Sequence, residues 1–514
     1  MPDTPNILLI TTDQQRWDTV GAYGVAPVKT PNLDALAAQG VLCDRAYCAN
    51  PLCMPSRTSI LTAQYPSRHG VYTNGVAADE DYNASIGRVL GELGYATTLV
   101  GKAHFRPCSN GASLESPPQV YDLDFYRNWS GPYYGFDHVE LAICHSHEAP
   151  ACGMHYGAWL ADRGVDTMHY WGRPDQAYTS VGPWDLPEEH HNSRWVADRT
   201  IAAVERATSA KQPFFVWASF QDPHNPVVVP EPWYSLHDRA TVPDYGLREN
   251  EMRDKPPFYE EFLEHGTFDE GRVTAGGIDS WPCLGRQLTR NEAIPQDYAG
   301  MDREANRRNA VAAYYGMVSL ADHHVGRMVA DLKAHGLFEN TLIVFTSDHG
   351  EYLGNHGVWW KGLPAYEDCH RVPLLACWPR AIPPGQRSHA LHSLIDLGPT
   401  FAAAAGGRRG SDWQGKNQLE VWRGRRESAR DHALIEFRPT DSDFQQLTVV
   451  TANHKLVAYP GRDWGELYDL GADPDQVRNL WTRQEAANLR RRLEIILAHS
   501  REKERERRPR VAPA

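Results

Sequence analysis

Four apolar runs of strand length each end on residues that carry chemistry. Asn6–Thr12 leads to Asp13 and Gln14, and Thr97–Val100 leads to Lys102 and His104. Pro213–Phe220 leads to Asp222 and His224, and Thr341–Thr346 to Asp348 and His349. Helical stretches lie between them: Leu33–Gly40, Ser85–Gly94, Arg194–Thr208 and Asn309–His335. This alternation predicts an α/β fold, a large and mostly parallel mixed sheet flanked by helices. In such a sheet the strand ends share one edge, where open α/β folds place their sites. One polar loop after a strand is ordinary. Four together, holding an oxygen-ligand set and cations, predict a shared site.

At 514 residues the chain has room for a large domain and a smaller companion. The pattern changes near Gly406, which predicts domains over 1–408 and 409–514. Strands at Leu434–Phe437, Leu447–Val450 and Lys455–Tyr459 and a last helix at Gln484–His499 give the second a small α+β reading. Leu489, Leu493, Ile496 and Leu497 form an apolar helix face that could pack at home or on a second copy, so a homo-oligomer stays open. Pro/Gly- and aromatic-rich segments, roughly 105–187 and 230–302, read as lids and pocket walls. Core packing is the expected fate of most tryptophans there, including Trp129, Trp159, Trp171, Trp184 and Trp195, with ring stacking on a substrate as the alternative. The charge run Arg501–Arg510 reads as a solvated end.

Lys and Arg number 52 against 65 Asp and Glu, a net charge of −13. That balance argues against nucleic acid or an anionic membrane as partner. No apolar run approaches the roughly 20 residues of a membrane-spanning helix. Met1–Pro5 has no basic region, so the chain reads as cytoplasmic. Nine cysteines in a chain of this kind are expected as thiols.

Asp13, Gln14, Asp348 and His349 offer two carboxylates, an amide oxygen and an imidazole. Oxygen-rich sets suit one divalent cation, with Ca²⁺ favoured and the imidazole leaving Mn²⁺ as the alternative. Lys102 and His104, two apart, would project to one side of an extended chain, as for anion binding with proton transfer. In Asn50-Pro-Leu-Cys-Met-Pro-Ser-Arg57, Pro55 suits a first helical turn, which puts Cys53 at a helix N-terminus. There the helix dipole favours a thiolate, with Arg57 on the same face. Cys144, His147, Cys152 and His155 form two C-x-x-H pairs, a weaker candidate for structural zinc beside the plainer reading of a pocket loop.

Cys53-Met-Pro-Ser-Arg57 with its tail through Gly70 resembles type I sulfatases of the alkaline phosphatase superfamily. The resemblance continues in Gly101-Lys-Ala-His104, Asp222-Pro-His-Asn-Pro226, Thr346-Ser-Asp-His-Gly350, Trp359-Trp-Lys-Gly362 and Glu466-Leu-Tyr-Asp-Leu470, in the family's order. It implies an alkaline phosphatase-like fold and hydrolysis of small organic sulfate esters. It also implies that a formylglycine-generating enzyme converts Cys53 to formylglycine, whose hydrate attacks sulfur. Arg57 would keep the attacking oxygen anionic, and Lys102 and Lys361 would hold the sulfate. His224 with Lys361 would protonate the leaving oxygen. His104 would take the proton of the second hydroxyl. Asp13, Gln14, Asp348, His349 and residue 53 would hold the cation. Many sulfatases carry Asp where Gln14 stands and Asn where His349 stands. The Gln/His pairing resembles the choline-sulfatase and phosphonate monoester hydrolase branches. Hydrolysis of phosphonate monoesters or phosphodiesters is therefore the alternative, although that branch lacks the Lys102/His104 pair. A non-catalytic anion- or sugar-binding relative with unmodified Cys53 is the third reading.

Overall fold

The computed structural model describes residues 4–500 apart from 81–83, 109–112, 144–151, 172–180, 250, 266, 269–272, 275–303 and 439–442. The main sheet has nine strands: β1 (Asn6–Thr12), β2 (Val41–Tyr47), β3 (Ala96–Gly101), β4 (His138–Leu141), β5 (Phe214–Ser219), β6 (Thr341–Ser347), β7 (Arg371–Val372), β8 (Leu374–Cys377) and β9 (Gln386–Ser393). The run β6-β1-β5-β3-β4 is parallel throughout. β8 joins it antiparallel to β6 and carries the sheet on to β2, which β9 edges in parallel. The expected mostly parallel mixed sheet is what the chain builds.

Side-chain alternation sorts two cores. Ile7 and Leu9 of β1, Phe215 and Trp217 of β5, and Leu342 and Val344 of β6 face one side. Leu8, Ile10, Phe214, Val216, Ile343 and Phe345 face the other. Helices Cys53–Thr62, Ile86–Glu92 and Leu397–Ala404 cover the first face. Pro31–Ala38, Asn192–Ser209 and Glu304–Ala334 cover the second. Both faces of the central strands are buried, which is why they read as continuous apolar runs.

The second sheet is a four-stranded antiparallel meander, Ala433–Phe437, Gln446–Val450, His454–Ala458 and Gly465–Asp469. Helix Ala487–Ser500 packs on it through Leu493 and Leu497, with Leu489 and Ile496 alongside. Its apolar face is thus covered at home. Among the inserted aromatics Trp171, Trp184 and Trp195 are buried in the core. The seven described cysteines are all thiols. Among the described residues no helix is long and apolar enough to cross a membrane.

Gly101 closes β3 directly before Lys102. Its φ is +95°, and a Cβ there would lie 1.9 Å from the Ser219 carbonyl oxygen. Substitution therefore meets backbone that cannot swing away. Gly101→Ala should cost about 2–4 kcal/mol of folding stability, measured by denaturant unfolding. An unchanged midpoint would show that the two strand ends are not locked together as described.

Candidate active site

Four parallel strands deliver the predicted residues to one edge. The pairing runs on past the strands: the Asp13 amide donates to Asp222 O and the Asp348 amide to Thr12 O, each at 3.2 Å. Cys53 is the first residue of its helix, after extended Leu52, as Pro55 two residues on allows. The carboxylates of Asp13 and Asp348, the imidazole of His349 and the Cys53 sulfur place one ligand atom each within 4.8 Å of the others, all buried. Gln14 joins them in a left-handed conformation, φ +65°. Its amide donates to Asp348 Oδ1 at 3.0 Å and its carbonyl accepts from the Tyr314 hydroxyl at 2.6 Å. These bonds hold an otherwise unfavourable backbone.

The donor set fits a divalent cation. His349 Nδ1 lies 2.8 Å from the Gly350 carbonyl, which can only accept. The ring proton is therefore on Nδ1, and Nε2 presents a lone pair toward Cys53 (3.3 Å), Asp348 Oδ1 (3.7 Å) and Asp13 Oδ1 (3.8 Å). Two carboxylates, an amide oxygen and that nitrogen make a candidate metal centre.

Three cations ring it. Arg57 is fully buried and spends its donors on protein: Nε on Asp348 Oδ2 (2.8 Å), Nη2 on Asp13 Oδ2 (3.2 Å), Nη1 on Lys102 O and Ser219 Oγ (2.8 Å each). It fixes the carboxylates, with four of its five N–H donors spent on these protein acceptors. Lys102 Nζ sits 2.6 Å from Asp13 Oδ2. Lys361 Nζ uses its three protons on Gln14 Oε1 (2.7 Å), Cys53 Sγ (2.8 Å) and His224 Nε2 (2.7 Å). His224 Nδ1 gives its proton to Asn225 O at 2.6 Å, so Nε2 is the acceptor.

The charges settle the protonation. Burial alone would push the Asp13 carboxyl up, but Lys102, with Arg57 and Lys361, holds it well below the usual carboxylate range. Burial and Asp13 likewise oppose a Cys53 thiolate. Lys361 and Lys102 outweigh them and bring the thiol down. Burial first, then Lys102 and Arg57, keeps His104 neutral far below its ordinary range. Burial and Lys361 do the same to His224.

All ten predicted residues meet here, though not always as the sequence suggested. His104 is not in extended chain: its φ is +52°, and neither ring nitrogen has a hydrogen-bond partner among the described residues. Position, not strand alternation, brings it beside Lys102. Ser219, Asn225 and Glu351 belong to the site and were not singled out. Ser219 hides at the end of an apolar run. Glu351 follows Asp348-His349-Gly350 and could have been found by that adjacency alone. Of the weaker zinc set, Cys144 and His147 lie outside the described residues. His155 has both nitrogens engaged, Nδ1 with the Leu141 amide (2.9 Å) and Nε2 with Trp129 O (2.8 Å). It is a partly buried structural histidine, its pKa lowered to about 4 chiefly by desolvation, and it has no lone pair left for zinc. A cavity of about 980 Å³ beside β9, lined by Gln386, His389, Lys416 and others, contains none of the site residues. Chemistry rather than cavity size locates the site.

The sulfatase family profile matches residues 5–407, and the C-terminal profile of N-sulphoglucosamine sulphohydrolase matches 354–503. An arylsulfatase of Clostridium perfringens is 27% identical over 491 residues, covering 94% of this chain and 91% of that protein. An N-acetylglucosamine-6-O-sulfatase of Bacteroides thetaiotaomicron is 26% identical, covering 96% and 85%. The solved phosphonate monoester hydrolase of Silicibacter pomeroyi superposes with a TM-score of 0.75 at 24% identity, over 98% of this chain and 96% of that one. That likeness shows the alkaline phosphatase-like fold. With a family match over four-fifths of its length and a buried cysteine set among carboxylates, imidazoles and lysines, the chain belongs to the sulfatase family and hydrolyses sulfate esters.

Proposed function

We propose that Cys53 is matured to formylglycine and that the enzyme cleaves small organic sulfate monoesters, with one divalent cation held by Asp13, Gln14, Asp348, His349 and residue 53. The observation that carries this reading is the place of the Cys53 sulfur. It stands at a helix N-terminus, 2.8 Å from Lys361 Nζ and 3.3 Å from His349 Nε2. The sulfur stands in for the side-chain oxygens of the modified residue. Four oxygen donors against one nitrogen favour Ca²⁺, with Mn²⁺ second. The cation would supply Lewis-acid stabilisation of the oxygens around it. The hydrated aldehyde would supply the attacking hydroxyl and, in its second hydroxyl, the route by which sulfate departs.

The chain's own residues do the rest. Arg57 orients Asp13 and Asp348. Lys102 and Lys361 neutralise the sulfuryl oxygens as charge develops. In the resting state Lys361 donates to neutral His224, so the proton destined for the leaving oxygen is already poised between them. His104, neutral and without a partner, accepts the proton of the second hydroxyl. A formylglycine-generating enzyme is the maturation partner. The alcohol half is an aryl group, a sugar or an amino alcohol. The arylsulfatase and N-acetylglucosamine-6-O-sulfatase relatives support the first two.

A second reading, hydrolysis of phosphonate monoesters or phosphodiesters, has the Gln14/His349 donor pair in its favour. Lys102 and His104 oppose it, because they supply the extra cation and the base that expulsion of sulfate needs.

Peptide mass spectrometry of protein matured with the generating enzyme should find formylglycine or its hydrate at position 53. Cys53→Ala should lose nearly all turnover and keep its Tm. Fully active protein with unmodified Cys53 would sink the mechanism. For matched esters, kcat/KM should be higher for the sulfate than for the phosphonate, and the reverse order would favour the second reading. Lys102→Ala should slow sulfate turnover by about 10²–10³, the loss typical of one oxyanion donor. Because Lys102 also pairs with Asp13, cation affinity measured in parallel separates a weaker metal site from a weaker sulfate site.

A further inference from the structure

Gln14 has to present a particular end of its amide. In the proposed cation site its oxygen would be the ligand and its nitrogen would not, yet the two ends have nearly the same shape. The surroundings decide between them. Nε2 donates to Glu351 Oε2 and, at 3.3 Å, to Asn225 Oδ1. Oε1 is left facing the cation pocket, where Lys361 Nζ donates to it at 2.7 Å. Asn225 can turn its own amide and accommodate either arrangement. A carboxylate cannot, because it only accepts.

Glu351 is itself fixed. It is buried at 3% exposure, and its Oε1 accepts the backbone N–H of Leu353 at 2.7 Å and that of Trp360. Those two bonds close the loop that leads into Lys361 and pin the carboxylate with Oε2 toward Gln14. We propose that Glu351 is a positioning residue: by accepting from Gln14 Nε2 it locks the Gln14 amide with its oxygen toward the cation. This rests on the reading that Asp13, Gln14, Asp348 and His349 hold a divalent cation.

The geometry makes one isosteric substitution informative. In Glu351→Gln the Leu353 and Trp360 amides still demand an oxygen at the Oε1 position. The new NH₂ must then take the Oε2 position and meet the Gln14 NH₂, donor against donor. Gln14 escapes by turning over, which aims its NH₂ at the cation and at Lys361. The loop stays closed and the size of the side chain is unchanged, so the loss falls on the ligand set.

The test is a double-mutant cycle on metal-free, full-length protein. Mn²⁺ is titrated in, followed by calorimetry and electron paramagnetic resonance, with Tm recorded for each variant. Glu351→Gln should weaken Mn²⁺ binding about 10–100-fold, as removal of an outer orienting partner does. In a Gln14→Ala background the same change should shift affinity no more than roughly twofold, the scatter of independent sites. Equal weakening in both backgrounds, or full affinity in Glu351→Gln, would overturn the proposal. Wild-type protein that binds neither Mn²⁺ nor Ca²⁺ would overturn the cation reading and this one with it, an outcome distinct from the other two. Should Glu351→Gln not fold, Glu351→Asp serves in the same cycle. It keeps the charge and draws the carboxylate out of reach of Gln14.

Discussion

The structure turns on one buried guanidinium. Arg57 lies between Asp13 and Asp348 with no solvent exposure on any of the three side chains. It thereby joins the ends of β1 and β6 to the helix that begins with Cys53. Two carboxylates so close would repel and protonate if left alone in a low-dielectric interior. With Lys102 and Arg57 beside it, Asp13 stays ionised. Loss of one partner from such a group leaves an uncompensated buried charge, typically about 3–5 kcal/mol. The arrangement is therefore better understood as a device for holding charge in place than as a source of stability.

The remaining cations divide the work by position. Lys102 and Lys361 reach past the carboxylates to the space where the sulfuryl group would lie. Lys361 is the busiest of them, touching the ligand amide, the residue 53 side chain and His224 at once. In the proposed mechanism this links the nucleophile side of the site to the leaving-group side through a single ammonium. Burial complements it by keeping His104 and His224 neutral.

The fold's contribution is rigidity at the strand ends. β1, β3, β5 and β6 are neighbours in one parallel run, and backbone bonds beyond the strands tie Asp13 to Asp222 and Asp348 to Thr12. Ligands carried on such ends move little, which suits a centre that must bind a small anion beside a cation. The C-terminal meander covers its own helix and packs Phe437 and Val457 against Leu52, the residue before Cys53.

The sequence by itself determined the sheet class, the strands that carry the site and the residue types at their ends. Apolar runs buried on both faces have a signature that survives without neighbours. So does a cysteine two residues before a proline and four before an arginine. Strands Leu374–Cys377 and Gln386–Ser393 escaped that reading, the first because it is only four residues long and the second because its residues are mixed in polarity. Tertiary structure alone decided how the residues are used. Arg57 clasps two carboxylates, His104 reaches the site from a left-handed backbone, and His155 is consumed by Leu141 and Trp129. Glu351, 337 residues from Gln14, fixes an amide it could never be seen to touch in one dimension. Local pattern reports the burial of each segment. Which donor meets which acceptor depends on the register between segments hundreds of residues apart, and only the packed sheet sets that register.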